Sequence, residues 1–289
     1  MKKKNFFQVL FLGAALVTGF CLSSCNKDDN NGTTKVDPST IASTNLVAYF
    51  PFDNSATEAI ANLTPTAHPL VTYVTGRRGQ AYQGADGAHL LYTLPTNSKL
   101  KTLTSFSVAM WFKSPLVTGD PEPIFFQIGK STDLTWGNLT LKLGRLSATA
   151  DSLMLHAFFL KSIAEWHDQH IDYSNSMFQV NQWMHLIFEY DAATSKYVIY
   201  KDGIKVITNT GVEDRKAGST GVALGNLNFV NADVINIGAW RPKTEGVPLA
   251  TDAWMGWFKG NLDELRVYDK ALTATEAKAL YDAEVSQML

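Results

Sequence analysis

The sequence predicts an all-β sandwich or barrel carrying one short C-terminal helix. From about Asn45 onward, short runs of Val, Ile, Phe, Tyr and Trp recur at period two, and Gly, Asp, Asn and Pro separate them. A single helical pattern appears, close to the C-terminus. Apolar residues make up 45% of the chain, enough to fill one core over residues 45–289.

Before that body come two segments of different character. Lys2, Lys3 and Lys4 precede an apolar run from Val9 to Leu22 that is short for a membrane span, so residues 1–24 are expected to be a cleaved export signal. Leu22-Ser23-Ser24-Cys25 resembles the bacterial lipobox, which implies lipidation of Cys25 and anchoring through several acyl chains. The alternative is an ordinary secretory peptide with an incidental cysteine. Lys27-Asp28-Asp29 resembles the surface-export signal of Bacteroidetes lipoproteins and implies an outward-facing position on the outer membrane, the alternative being a solvated linker. Residues 25–44, rich in Asn, Asp, Thr and Ser with few large apolar side chains, are expected to form a flexible tether.

Within the body, Phe106, Val108, Met110 and Phe112 alternate with Ser107, Ala109, Trp111 and Lys113. Both faces of that strand are largely apolar, which predicts a central strand covered on both sides. Trp183–Tyr190, Lys196–Tyr200 and Ile204–Ile207 read as three successive strands, and Asp202-Gly203 supplies the positive φ angles of a tight type I′ turn. Thr273 and Glu276 have capping-box spacing, with Ala277, Leu280, Tyr281 and Glu284 following at helical intervals. This helix is expected to pack on the edge of the sheets.

Charge and cysteine content narrow the function classes. Residues 1–24 hold three lysines and no acids, so 22 basic and 27 acidic residues remain without them, a formal charge of −5. Nucleic acid or an anionic bilayer as partner needs a concentrated basic patch, which this balance disfavours. The only cysteines are Cys21, lost with the signal, and Cys25, so the mature chain can form no internal disulfide or cysteine metal site.

Five segments then carry a family resemblance. Leu46–Asp53, Phe106–Phe112, Trp183–Gly203, Ile235–Gly238 and Phe258–Tyr268 resemble, in that order, the landmarks of the laminin-G-like, concanavalin A-like jelly-roll family. The resemblance implies two curved antiparallel sheets packed face to face over residues 45–289, with Tyr49 close to Leu265. It also implies that Trp111 and Trp183 belong to the core. The family's rim calcium site maps onto Asp53 and Asp263, which could instead cap a turn and bond buried amides.

The superfamily includes lectins, glycosidases and protein-binding modules, so function must come from a site. The Glu-x-Asp-x-x-Glu carboxylate array of its glucanases is absent. Glu189-Tyr190-Asp191 lacks the last Glu, and Asp263 is flanked by Asn261 and Arg266 at the two Glu positions. His167 and His170 beside Glu165 and Asp168 could ligate a metal if helical, but the segment has no helical periodicity and reads as a polar loop. Sugar rings combine an apolar face with a polar rim, so a glycan site needs aromatic platforms beside a few polar groups. Trp136, Trp166, Tyr173, Trp240 and Trp254 fall in polar segments read as loops.

The stretch from Ser114 to Gln182 is long for the family and should add two or three strands with elaborated loops. Trp166, His170 and Tyr173, with Trp240, Arg241 and Trp254, are therefore the expected ligand-binding residues. The expected protein is a lipid-anchored outer-membrane surface module, with a structural calcium ion, that binds extracellular polysaccharide or host glycoconjugate without catalysis. A glycoside hydrolase of another carboxylate arrangement, or an adhesin contacting neighbouring outer-membrane proteins, are the alternatives.

Overall fold

A computed structural model describes residues 35–132, 135–162, 164–218, 221–244 and 252–288. The export signal, Cys25 and the Lys27-Asp28-Asp29 run lie outside them. In chain order the first strands are β1 (Leu46–Phe50), β2 (Thr72–Thr75), β3 (Gln80–Gln83), β4 (Leu90–Thr93) and β5 (Phe106–Lys113). Next come β6 (Glu122–Gly129), β7 (Leu139–Gly144), β8 (Ser152–Leu160) and β9 (Asp168–Gln179). They are followed by β10 (Met184–Asp191), β11 (Lys196–Lys201), β12 (Ile204–Lys205) and the one-turn helix α1 (Thr210–Glu213). The chain continues through β13 (Lys216–Ala217), β14 (Val222–Ala223), β15 (Val234–Ile237), β16 (Met255–Gly256) and β17 (Asn261–Tyr268) to helix α2 (Ala274–Ser286).

Two sheets form a sandwich. The first runs β12-β11-β10-β5-β17-β3-β2 with β1 also on β17, and the second runs β4-β15-β6-β7-β8-β9 with β16 beside β6. β5 is central and covered on both sides, as its alternation predicts. Phe106, Val108, Met110 and Phe112 enter the core between the sheets, where each Phe contributes about 1.5–3 kcal/mol of burial. Ala109 and Trp111 face the other way, toward α2. Tyr49 pairs with Arg266 and Phe50 with Leu265, so the first and last strands meet as expected.

The type I′ turn is present, with φ of 52° at Asp202 and 75° at Gly203. The strand after it stops at Lys205, and Ile207 is left 88% exposed. The stretch from Ser114 to Gln182 forms four strands, β6 to β9, rather than two or three, in an antiparallel meander that makes most of the second sheet. Trp111 is buried, whereas Trp183 lies just before β10 and is only half-buried.

Helix α2 carries the expected capping box between Thr273 and Glu276. It packs on the outer face of the first sheet, not on an edge. Ala277 and Leu280 join Ala109, Ile187 and Val198, and Tyr281 stands 5.8 Å from Trp111 and 5.9 Å from His185. An apolar outer face must be covered, and this helix is the available cover. The segment from Lys35 to Thr44, expected within the tether, also packs here. It forms a 3-10 turn at Pro38–Thr40, buries Pro38, and receives a hydrogen bond on Val36 O from Gln287 Nε2 at 2.9 Å. Ile41 and Ala42 rest on the same cluster, so a few apolar side chains suffice once a docking surface exists.

Between α2 and the sheet lies a buried ionic group. β17 bulges at Glu264, which has φ of 54°, and this redirects Glu264 and Arg266 toward the helix. Glu264 Oε2 accepts from Tyr49 OH at 2.8 Å and Arg266 Nη2 at 2.6 Å, and it also bonds Arg78. Arg266 reaches Glu284 of α2 as well. Burial holds the enclosed His185 imidazole down to about 3, with Arg266 adding to the effect. His185 is thus neutral, and Arg266 supplies the positive charge.

Candidate functional site

The outer face of the second sheet carries polar and aromatic residues at alternate positions. Across β6 to β9, register aligns Gln127, Thr140, Phe158 and His170 in one row, and Ile124, Lys142, His156 and Asp172 in the next. Trp136, from the β6–β7 connection, lies over these rows with its ring 5.1 Å from Phe158, 5.7 Å from His156 and 4.8 Å from His170. Gln127 Nε2 donates to Thr135 O at 2.8 Å and to Thr140 Oγ1 at 2.9 Å, which ties that connection to the sheet.

The distant loop residues Trp240 and Trp254 complete the cluster. Trp240 stands edge-on to Trp136 at 5.5 Å and to Trp254 at 4.9 Å, and Trp254 stacks with Trp136 at 6.2 Å and an interplanar angle of 29°. Trp240 is fully buried and donates from Nε1 to Glu122 O at 2.7 Å, so it is the floor. Trp136 and Trp254 are half-buried and present the open aromatic surface. The exposed polar side chains beside it are His170, Asp168 and Asp172, with His170 Nε2 3.4 Å from Asp168 Oδ2.

Three of the six expected ligand-binding residues therefore meet: His170, Trp240 and Trp254. His170 lies on strand β9, which corrects its reading as a loop residue. Tyr173 also lies on β9 but on the opposite face, packed toward the core with its OH donating to Ile207 O at 3.0 Å. An odd separation from His170 along a strand puts it there. Trp166 sits in the turn before β9, 55% exposed, and shares no ring contact with the cluster among the described residues. Arg241 is buried, donating from Nε to Ser131 O at 3.1 Å and bonding Thr244, so it holds its own loop together.

The residues that sequence reasoning missed are His156, Phe158 and Asp172, together with Trp136, which it noted but did not place in the site. The signal present was alternation, His156-Ala157-Phe158 opposite His170-Ile171-Asp172, but pairing these segments needs the register of β8 on β9. The local charges are compensated. Lys142 pairs with Glu122, while Arg145 reaches Glu122 at 2.7 Å and Asp120 at 3.0 Å. His156 Nδ1 lies 2.6 Å from Asp172 Oδ1. Burial lowers the His156 pKa, and the hydrogen bond to His156 lowers that of Asp172, so the pair at neutral pH is imidazole and carboxylate.

Asp53 and Asp263 adjoin one turn between β2 and β3. Asp263 Oδ2 accepts from Arg77 N at 2.6 Å and Arg78 N at 2.9 Å, and Asp53 Oδ1 accepts from Gln80 N at 2.8 Å. A Cβ at Gly79, where φ is +59°, would lie 1.9 Å from Asp53 Oδ1, so glycine is required for this approach. Burial pushes the Asp263 carboxyl up to about 8. Calcium takes six or more oxygens. Among the described residues no group of three or more His, Cys, Asp or Glu is arranged for a metal. Asp53 and Asp263 each give one oxygen to these amides, and the pair by itself supplies fewer oxygens than the ion takes. Treatment with EGTA is expected to leave the melting temperature unchanged, and a fall of several degrees would restore calcium as a structural element.

The carboxylates of Glu189 and Asp191 line a separate cleft of about 450 Å³ on the first sheet with Tyr200 and Thr273. Glu189 is 5% exposed and lies 3.5 Å from Ser107 Oγ. Asp191 is occupied by Ala193 N at 3.0 Å and Thr194 Oγ1 at 2.7 Å. Burial, then repulsion from Asp191, pushes the Glu189 carboxyl up to about 8. The folded chain keeps this proton above the pH at which the unfolded chain loses it. The contribution of this group is therefore fully present below about pH 4.5 and falls as pH rises toward 8, by on the order of 5 kcal/mol. Asp263 and Glu284, raised to about 8 and about 7 by burial, act in the same direction. Melting curves at pH 5 and pH 8 should differ less in Glu189→Gln than in the parent, and equal slopes would mean that Glu189 is ionised in the fold.

A two-sheet antiparallel sandwich with an aromatic and polar patch on one outer face defines a jelly-roll module. The chain belongs to the concanavalin A-like lectin/glucanases superfamily, whose Laminin_G_3 model matches residues 86–278. No curated protein matches the sequence significantly. Among solved structures, the binding domain of botulinum neurotoxin DC in complex with rat synaptotagmin II is 12% identical with TM-score 0.57, over 85% of this chain and 52% of that one. The same neurotoxin domain in complex with SialylT matches equally well, with 12% identity, TM-score 0.57 and coverage of 85% and 52%. Domain 4 of the extracellular arabinanase AbnA from Geobacillus stearothermophilus, in complex with arabinotriose, is 21% identical with TM-score 0.50, over 82% of this chain and 98% of that one. This chain spans about half the length of the neurotoxin domains it matches. At these identities the likeness is one of fold.

Proposed function

We propose that the protein is a surface lipoprotein, anchored through Cys25 to the outer membrane and facing outward, whose jelly-roll binds extracellular glycan without transforming it. The observation that carries this reading is the pair of half-buried, stacked rings of Trp136 and Trp254 beside His170, Asp168 and Asp172. A flat apolar surface with polar groups at its rim suits the face and edge of a sugar ring. Two of the similar folds were solved with sugars bound, which supports the ligand class. The described carboxylates beside the patch, Asp168 and Asp172, each face a histidine, His170 and His156, and this favours binding over hydrolysis.

Single-site affinity in the micromolar to millimolar range, about 4–8 kcal/mol, would suffice, because many anchored copies on one cell raise retention. The test is a glycan-array screen of the protein, with a reducing-sugar assay on every hit. Retention without product supports the reading, and product that vanishes in Glu189→Gln would replace it with a hydrolase. Retention of no glycan, together with capture of a purified outer-membrane protein, would replace it with an adhesin.

A further inference from the structure

The imidazole of His156 has one bonded nitrogen and one bare one. It is 3% exposed, Nδ1 is held 2.6 Å from Asp172 Oδ1, and Nε2 meets no partner among the described residues. Leaving a buried polar atom unpaired forfeits its hydration with nothing in return, and such exceptions in native folds call for a reason. Its ring neighbours are Trp136 at 5.7 Å and His170 at 5.6 Å, both members of the aromatic patch. An ionised carboxylate can only accept, so Asp172 forces the proton onto Nδ1 and leaves a lone pair on Nε2. Nearby cations do not fill that lone pair, since Lys142 is committed to Glu122 and Arg145 to Glu122 and Asp120.

We propose that His156 determines the specificity of this site, its Nε2 accepting a hydroxyl of a neutral sugar stacked on Trp136 and Trp254. The inference rests on the glycan-binding reading and adds the ligand class to it. A hydroxyl both donates to Nε2 and leaves the sugar uncharged, whereas an acidic sugar would meet the exposed carboxylates of Asp168 and Asp172, 44% and 58% exposed, with the local cations already paired. Nε2 is buried, so a ligand reaches it by displacing one of the rings beside it, those of Trp136 and His170.

The test uses arabinotriose as neutral probe and sialyl-T as acidic probe, with titration calorimetry and long-range 1H–15N spectra of histidine-labelled protein. In the free protein His156 should carry its proton on Nδ1, and arabinotriose should shift the Nε2 resonance. His156→Phe keeps the ring volume and should weaken arabinotriose at least tenfold. Should that variant not fold, Asp172→Ala, altered at a 58% exposed side chain, should weaken binding several-fold and populate the Nε2–H tautomer. A free protein with its proton on Nε2, or His156→Phe binding within twofold of the parent while Trp136→Ala does not, overturns the inference and leaves the aromatic patch as the site. Tighter binding of sialyl-T than of arabinotriose also overturns it. Unaltered binding in Trp136→Ala overturns the inference and moves the glycan site elsewhere, and binding of neither probe overturns the glycan reading and this inference together.

Discussion

Replacing Arg266 by Met is expected to lower the melting temperature by roughly 8–15 °C, which follows from a loss of about 3–5 kcal/mol on removing one partner of a buried ionic group in a domain of this size. Arg266 has a side chain only 1% exposed and is the positive charge between Glu264 and Glu284. Its guanidinium lies 4.2 Å from the Tyr49 ring centroid, so its stem and face are packed as well. Burial opposes its charge, but Glu284 and Glu264 outweigh burial and raise its pKa, so it stays protonated. Without it, Glu284 keeps only the Trp111 indole and the charge of Arg78 to favour its ionised form, beside the neutral His185, whose Nε2 is 3.5 Å from Glu284 Oε2. Glu284 must then take up a proton or pull α2 off the sheet, and faster amide exchange across α2 should accompany the drop. The double variant Arg266→Met with Glu284→Leu should recover much of the loss, because an apolar replacement removes the uncompensated charge. A single variant that melts within 2 °C of the parent would mean that α2 is held by Ala277 and Leu280 alone.

Trp136→Ala and Trp254→Ala should each weaken glycan binding by about 30-fold, on the order of 2 kcal/mol, the cost of truncating an aromatic anchor at a binding surface. The two rings stack with each other at 6.2 Å, so the double variant should lose less than the product of the two single effects. Trp166→Ala is the control: its ring is exposed but stands apart from the cluster, and its removal should leave retention unchanged. Loss of binding in Trp166→Ala with none in Trp136→Ala would move the site to the turn before β9. Trp240 is a poorer probe, since it is the buried floor bonded to Glu122 O and its truncation would disturb both neighbours.

Much of this fold was legible because its signals are local. Alternation marked β5, the Asp202-Gly203 pair marked the turn between β11 and β12, and Thr273 with Glu276 marked the start of α2. The ordered landmarks placed Phe50 beside Leu265 correctly. What failed was docking. A helix with two faces does not say which sheet surface it will cover, and Pro38 and Ile41 look like tether until that surface exists. The division of β9 also escaped, because a strand sends His170 outward and Tyr173 inward, and a segment read as a loop has no such rule.

By itself, then, the sequence determined the all-β class, the central strand, the tight turn, the capped helix and the charge balance, all properties of residues a few positions apart. Only the tertiary structure decided the site. Trp136, His170, Trp240 and Trp254 are brought together by the register of β7, β8 and β9 and by two loops about a hundred residues apart in the chain. The same long-range pairing chose which carboxylates matter, bonding Asp263 to amides of the β2–β3 turn and setting Asp172 against His156. Strand register and loop docking are set by the packing of the whole core, and no local pattern encodes which distant residue will lie opposite.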